Sequence, residues 1–275
     1  MMLNEITVVY GITDDLLKAI CHQEDSRRIM SDSEVITASL TASLFFCGNH
    51  LLACKYLKEH GLMPNMLSKS RFNRRLHAIA PLIYDLQQQL GMALKQINES
   101  TEYLLDSFPV SICDNIRIKK CRLIKSEDYR GYIASKKRYF YGIKIHLLST
   151  KDGIPVEWAF IPGNANDVRG FNLLPFNLPP GSEVYADKAF NHYDVEDWLQ
   201  EFEQIEMKVI RRKNSSRSDK PWTQYLKQNT RHFIETVFSQ ITNKFPKFIH
   251  AVTFEGLLLK VSSFIFGYTL ERSFL

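Results

Sequence analysis

Three carboxylates give this chain its chemical potential: Asp106 in LLDSFPVSI, Asp187 in VYADKAF and Glu235 in RHFIETVFSQI. Val184 and Ala186 read as the end of a short buried strand, and Asp187 stands where that strand runs out. A carboxylate at the carboxyl end of a strand faces a crevice, and open α/β sheets hold ligands in such crevices. The plainer reading is a turn or capping Asp. The company of Asp106 in a strand-like stretch and of Glu235 in a helix-like stretch weighs against it.

Three such acids suit phosphodiester chemistry, which needs an in-line nucleophile, charge neutralisation and positioning. Two divalent ions about 4 Å apart supply these by clamping the attacking and leaving oxygens. Hard ions of this kind take oxygen ligands, hence Asp and Glu in preference to His and Cys. Clustered carboxylates without metal repel one another, so the set implies two Mg²⁺ ions, with Mn²⁺ as a substitute. Eighty residues separate Asp106 from Asp187 and forty-seven separate Asp187 from Glu235. The first gap has room for two strands and a helix, the second for a helix, a strand and a linker.

The elements that must position these acids follow from the pattern around them. Residues 1–98 read as a helical N-terminal domain. Asp32 or Ser33 caps a helix running through ITASLTASLFF towards Lys58 and ending at Gly61. After Ser68 or Ser70, Phe72, Leu76, Ile79, Ile83, Leu86 and Leu90 recur at helical spacing and make one apolar stripe. Arg71, Arg74 and Arg75 share another face, a candidate grip on phosphates. From residue 99 to 275 the texture is α/β. EYLLDSFPV, YFYGIKIHLLS and IPVEWAFIPG read as strands, with KDGIP as the hairpin turn between the second and third. A short helix capped by Asn166 or Asp167 follows, then the strand ending at Asp187, a helix over about 193–202 and a strand at MKVIRR. Past the polar linker KNSSRSDKP, a helix over about 221–245 carries the stripe Ile234, Val237, Phe238, Ile241 and Phe245. Glu235 sits on the edge of that stripe. A last helix, over about 253–266, is apolar enough to pack on this domain. The order predicts an α/β fold with a mixed five-stranded sheet flanked by helices.

Composition narrows the setting. The chain has 275 residues, a 45% apolar fraction and a formal net charge of +5. That excludes wholesale disorder, and no apolar run reaches transmembrane length. Asn4, Glu5, Asp14 and Asp15 interrupt the early apolar residues, so no signal peptide is read. The five cysteines form no C-x-x-C pair, which fits reduced thiols in a cytoplasm. Arg117–Lys151 holds eleven Lys and Arg, Lys136, Lys137 and Arg138 among them, against Glu127 and Asp128. Residues 207–220 hold six against Asp219. Such concentration of positive charge points to a polyanionic partner.

Together LLDSFPV, GYIASKKRYFYGIKIHLL, IPGNANDVRGF, VYADKAF and RHFIETVFSQI resemble the DDE transposases of bacterial insertion sequences, with the insertion-sequence group numbered nine-eight-two as the nearest match. The resemblance runs from about residue 31 to 267. It implies a ribonuclease-H-like catalytic domain with Asp106, Asp187 and Glu235 as the metal-binding triad. It implies cutting of double-stranded DNA at terminal inverted repeats, joining to target DNA, and at least a homodimer on DNA. The helical residues 1–98 become a candidate DNA-end binder. An Arg one turn before the Glu belongs to the motif in related transposases, and Arg231 holds that position. The motif's Tyr and Lys positions are Gln228 and Thr242 here, with Tyr225 and Lys244 nearby.

Asp114 competes with Asp106 but lies beyond Pro109, where the strand is expected to end. His146, in an apolar strand, reads as a packed imidazole. Two other functions remain open on the sequence. One is a metal-dependent nuclease of the same fold without strand transfer. The other is a catalytically inactive DNA-binding derivative, suggested by the chain's end at Phe274 and Leu275 and opposed by the presence of all three acids.

Overall fold

The computed structural model describes residues 2–133, 137–211, 215–246 and 249–275, with backbone alone at Arg231 and His232. The chain forms two compact units: residues 1–90 with 241–275, and residues 91–240.

The first unit is helical. It holds α1 (Met2–Ala19), α2 (Asp32–Phe45), α3 (His50–Glu59), α4 (Lys69–Ala78), the start of α5 (Ala80–Ile97) and α9 (Phe254–Phe274). The expected single helix from Asp32 to Lys58 is two. Cys47 and Gly48 turn left-handed, at φ 48° and 75°, and the Asn49 side chain accepts the Leu52 amide to start α3. The cap of α2 is Ser31, in a capping box with Glu34. The stripe from Phe72 to Leu90 is buried throughout, as expected. Its helix nevertheless breaks at Ile79, because Pro81 lacks the amide hydrogen that a continuous helix needs there. The sequence assigned α9 to the second domain; in the structure it packs on α2, with Ser39 and Ser263 hydroxyls 3.1 Å apart in the buried seam.

Asp32 is the electrostatic hub of this unit. Its carboxylate is fully buried. It accepts hydrogen bonds from Arg75 Nε at 3.0 Å, Arg28 Nη1 at 2.8 Å and His22 Nε2 at 2.9 Å. Burial alone would raise its pKa, but the Arg75 and His22 hydrogen bonds outweigh it and hold the group below the usual carboxylate value.

The second unit is α/β. Its strands are β1 (Glu102–Cys113), β2 (Arg130–Ile133), β3 (Arg138–Thr150), β4 (Pro155–Pro162), β5 (Glu183–Ala186) and β6 (Glu206–Val209). They form one mixed, six-stranded sheet. β1 pairs antiparallel with β3 and parallel with β5, and β5 pairs parallel with β6. β4 and the short β2 share the other edge of β3, end to end: β4 covers Ile143–Ser149 and β2 covers Arg138–Tyr141. The sheet is therefore five positions wide with six strands, and the five-strand expectation missed only β2. The hairpin at KDGIP is present, with Gly153 left-handed at φ 81°.

Helices cover both sheet faces, so β1 and β3 carry consecutive buried residues in place of alternation. On one face lie the end of α5 and α6 (Asp167–Phe171). There the buried Lys95 ammonium donates to Glu157 Oε1 at 2.7 Å, and the Phe176 amide donates to Glu157 Oε2 at 3.0 Å. On the other face α8 (Pro221–Lys244) sets Phe238 against Phe108, ring centroids 5.2 Å apart. The crossover between the parallel β5 and β6 is α7 (Tyr193–Trp198) and one π turn. No single helix among the described residues is long and apolar enough to cross a membrane.

Asp32→Asn is expected to cost about 3 kcal/mol, because it leaves two guanidinium groups beside a neutral amide. Since the folded pKa of Asp32 is lowered, its contribution is complete above the unfolded value and is lost as pH falls through the folded one. Chemical denaturation of both forms between pH 2 and 7 checks this: the gap should be full at pH 7 and close at the acid end. A gap independent of pH contradicts the assignment.

Candidate active site

The site is built by the step where β5 ends and β1 does not. The last parallel register pair of β1 and β5 is Leu105 with Ala186. Asp106 and Asp187 each follow by one residue, so their backbones stand side by side one strand spacing apart, about 4.8 Å. β6 stops at the same level, with Ala186 opposite Val209. Among the described residues, β1 runs on to Cys113 with only β3 beside it. Beyond the short strands lies an open step, and the two aspartates stand on it.

β1 does not end at Pro109 as expected; Pro109 stays in register with Lys144 of β3. It is tolerated because, among the described residues, the opposite edge of β1 has no strand partner at that level, so no ladder bond is lost there. Asp114 lies past the strand's true end, at the start of a short 3₁₀ turn. It is not adjacent to Asp187 in the parallel register.

Asp106 and Asp187 have the same local geometry. Asp106 Oδ1 accepts the Ser107 amide and Asp187 Oδ1 accepts the Lys188 amide, each at 2.7 Å. Asp187 thereby also opens a 3₁₀ turn over Lys188–Phe190, so its capping and site readings are not exclusive. Asn191, expected to cap the next helix, instead accepts from Arg211, and His192 stands at the start of α7.

Glu235 comes in on α8. Alternation along β1 places Asp106 on the same face as Phe108, the face that α8 covers. At one anchor, the Lys227 ammonium donates to the Val209 carbonyl at the end of β6, 3.0 Å, and to Asp219 at 2.7 Å. At the other, Phe238 packs on Phe108 of β1. The helix therefore runs from β6 towards β1, across the ends of the short strands. Glu235 lies between the anchors, one turn before Phe238, on the exposed edge of a stripe in which Ile234, Val237 and Phe238 are buried. Arg231 lies on α8 one turn earlier; its side chain is outside the described residues. Lys244 pairs with Glu271 at 2.6 Å, and Tyr225 is exposed.

Behind Asp106, on the other sheet face, is a polar cluster that brings together Asp167 and His146, which the sequence gives only as separate residues. Asn166 caps α6 by accepting the Arg169 amide, which leaves Asp167 free of the capping role considered for it. Asp167 Oδ1 instead accepts from Ser107 Oγ at 3.0 Å and from Lys144 Nζ at 3.2 Å. His146, directly opposite Ser107, is fully buried with Nε2 3.5 Å from Asp167. Its ring stacks edge-on against Phe190, and Gly170 packs so closely that a Cβ there would fall 2.3 Å from the imidazole. The signal was present in YGIKIHLL: Lys144 and His146 are polar at alternate positions of an otherwise apolar strand. Burial pushes the His146 pKa down to about 4; the Asp167 charge opposes this and the Lys144 charge adds to it.

Among the described residues, one group of three ligating atoms falls within 4.8 Å: His22, Glu24 and Asp32, in the helical unit. It already carries its cations, since Arg28 and Arg75 occupy the Asp32 oxygens. A divalent ion there would face two guanidinium groups. Asp106, Asp187 and Glu235 offer the oxygen-only donor set that hard divalent ions require.

Residues 97–251, more than half of the chain and including all three acids, match the family described as Transposase DDE domain, and the chain belongs to that family. Over 142 residues it is 28% identical to the Transposase for insertion sequence element IS1106 of Neisseria meningitidis serogroup B, which covers 50% of this chain and 48% of that protein. The chain thus spans about half the length of the curated relative it matches. No solved structure matches the chain. Neither match supports the narrower group numbered nine-eight-two.

The buried imidazole gives a prediction. With a folded pKa near 4 against about 6.5 unfolded, the unfolded chain binds the extra proton between those values, so acidification across that window lowers stability. NMR titration of the His146 ring should show a neutral imidazole at pH 5.5. A midpoint near 6.5 contradicts the packing described.

Proposed function

We propose that the chain is the transposase of a bacterial insertion sequence. It cuts double-stranded DNA at the element's terminal inverted repeats and joins the freed 3′ end to target DNA. The observation that carries this reading is the Leu105–Ala186 register pair, which sets Asp106 and Asp187 side by side at the sheet step within the matched family region. The mixed sheet, antiparallel through β4, β3 and β1 and parallel through β5 and β6, supports a ribonuclease-H-like fold for this unit.

Asp106, Asp187 and Glu235 would hold two Mg²⁺ ions, with Mn²⁺ as substitute. When bound, such ions neutralise charge at the attacking and leaving oxygens of a phosphodiester. The chain's own contribution is position. β1 and β5 fix the two aspartates on the sheet, and α8, packed on the same face, would bring Glu235 to them. Arg231, one turn before Glu235, would hold that carboxylate or a DNA phosphate. Lys137 and Arg138, both exposed at the start of β3, belong to the basic stretch read as meeting phosphates; Lys136 lies outside the described residues. Pairing of two DNA ends calls for at least a homodimer on DNA. Residues 1–98, with the rest of the helical unit, would contact the element ends.

The test separates chemistry from folding. Asp106→Asn, Asp187→Asn and Glu235→Gln each remove one charge with little change of shape. Cleavage and strand transfer on DNA carrying the inverted repeats, with Mg²⁺, should fall by about 10³-fold or more, an effect of about 4 kcal/mol. Metal-free melting temperatures should hold or rise as like-charge repulsion is relieved. A variant that melts lower yet cuts at the wild-type rate removes that residue from the site. Cleavage without joining in the wild type reduces the function to a nuclease.

A further inference from the structure

Asp106 and Asp187 share a support on the opposite face of the sheet. Side chains alternate along β1, so Ser107 points away from the face that carries Asp106. Ser107 still serves Asp106 directly, because its amide donates to Asp106 Oδ1 at 2.7 Å. Its hydroxyl donates to Asp167 Oδ1 at 3.0 Å, so the peptide that holds the Asp106 carboxylate is fastened from behind. Lys144, on the neighbouring strand, donates to the same Asp167 oxygen at 3.2 Å and keeps that carboxylate in place.

A second line runs to Asp187. The turn that Asp187 opens over Lys188–Phe190 closes with the Phe190 amide donating to the Asp187 carbonyl at 3.0 Å. The Phe190 ring is buried and stands edge-on to His146, with centroids 5.5 Å apart. His146 in turn lies opposite Ser107 in the strand ladder, with Nε2 3.5 Å from Asp167 Oδ1. The imidazole therefore meets both lines: the one that holds Asp106 through Asp167, and the one that holds Asp187 through Phe190.

An aliphatic residue would serve the core better than His146 does. The imidazole is fully buried, and neither ring nitrogen has a hydrogen-bond partner among the described residues. Buried polar groups left in that state cost stability, so their presence calls for another reason. The fit around the ring is also close, since a Cβ on Gly170 would fall 2.3 Å from it. With a pKa near 4 the imidazole is neutral at physiological pH, so it acts by shape and contact and not by charge.

We infer that Ser107, Asp167 and His146 are positioning residues that fix the separation of the Asp106 and Asp187 carboxylates for divalent-ion binding. This rests on the reading of those two aspartates as metal ligands and adds the residues that set their geometry. Groups that hold ligating carboxylates from behind change metal affinity by roughly 10–100-fold when removed.

The experiment titrates the full chain with Mn²⁺ in the absence of DNA, reading free Mn²⁺ by electron paramagnetic resonance. Ser107→Ala should weaken binding by about tenfold or more. Ser107→Thr keeps the hydroxyl and should bind as the wild type does. His146→Leu should weaken binding likewise while its melting temperature holds, since it removes two unpaired nitrogens. Ser39→Ala deletes a buried hydroxyl of the helical unit; it controls for lost stability alone and should bind normally. In cleavage of inverted-repeat DNA, the Mg²⁺ concentration giving half-maximal rate should rise for Ser107→Ala, while the rate at saturating Mg²⁺ approaches that of the wild type. If Ser107→Ala binds Mn²⁺ normally, or if Ser39→Ala weakens binding equally, the positioning assignment fails and the three-acid site stands. If Asp106→Asn also binds normally, the metal site itself fails and this inference falls with it.

Discussion

The architecture depends on one pairing, the parallel register of β1 and β5. It is short, four residue pairs from Glu102–Glu183 to Leu105–Ala186, and fully internal to the sheet. Because β5 stops there and β1 continues, the sheet edge steps, and the first residue past each strand's last pair is an aspartate. A slip of one residue would turn either carboxylate to the opposite face. Antiparallel pairing of β1 with β3 over its whole length fixes the register from the other side. α8 then closes the arrangement, held at Lys227–Val209 and at Phe238–Phe108. The site is thus placed by hydrogen-bond ladders and ring packing, not by the carboxylates themselves.

Several acids are tied down within the protein by their own partners. Around Asp32 the negative charge is cancelled within the protein by Arg28, Arg75 and His22, which makes a buried tie in the helical unit. Asp167 behind β1 is likewise satisfied, by Lys144 and Ser107. Asp106 and Asp187, in the α/β unit, each accept a neighbouring backbone amide. A backbone amide orients a carboxylate oxygen on the sheet.

Much of this was legible in the residues. Strand and helix order in the second unit followed from apolar runs and the KDGIP turn, and the places of Asp106 on a strand, Asp187 just past a strand and Glu235 on a helix edge followed from strand ends and helix faces visible in the pattern. Four features were not. β2 is four residues long and its burial is mixed, so it gives no periodic signal. The breaks at Cys47–Gly48 and at Pro81 interrupt helices whose apolar stripes continue, and periodicity alone reads through them. The Asp167 cluster needs cross-strand register between Ser107 and His146, which is tertiary information. The joining of α9 to the N-terminal helices was hidden for the same reason: its apolar face is evident, but the sequence does not say which partner receives it.

The central claim is that Asp106 and Asp187 together hold a divalent ion. A crystal structure of the chain grown with Mn²⁺, with anomalous scattering at the manganese edge, tests it most directly. The account predicts an anomalous peak at the Asp106 and Asp187 carboxylates, at the end of β5. A peak at His22, Glu24 and Asp32 with none between the two aspartates would contradict it.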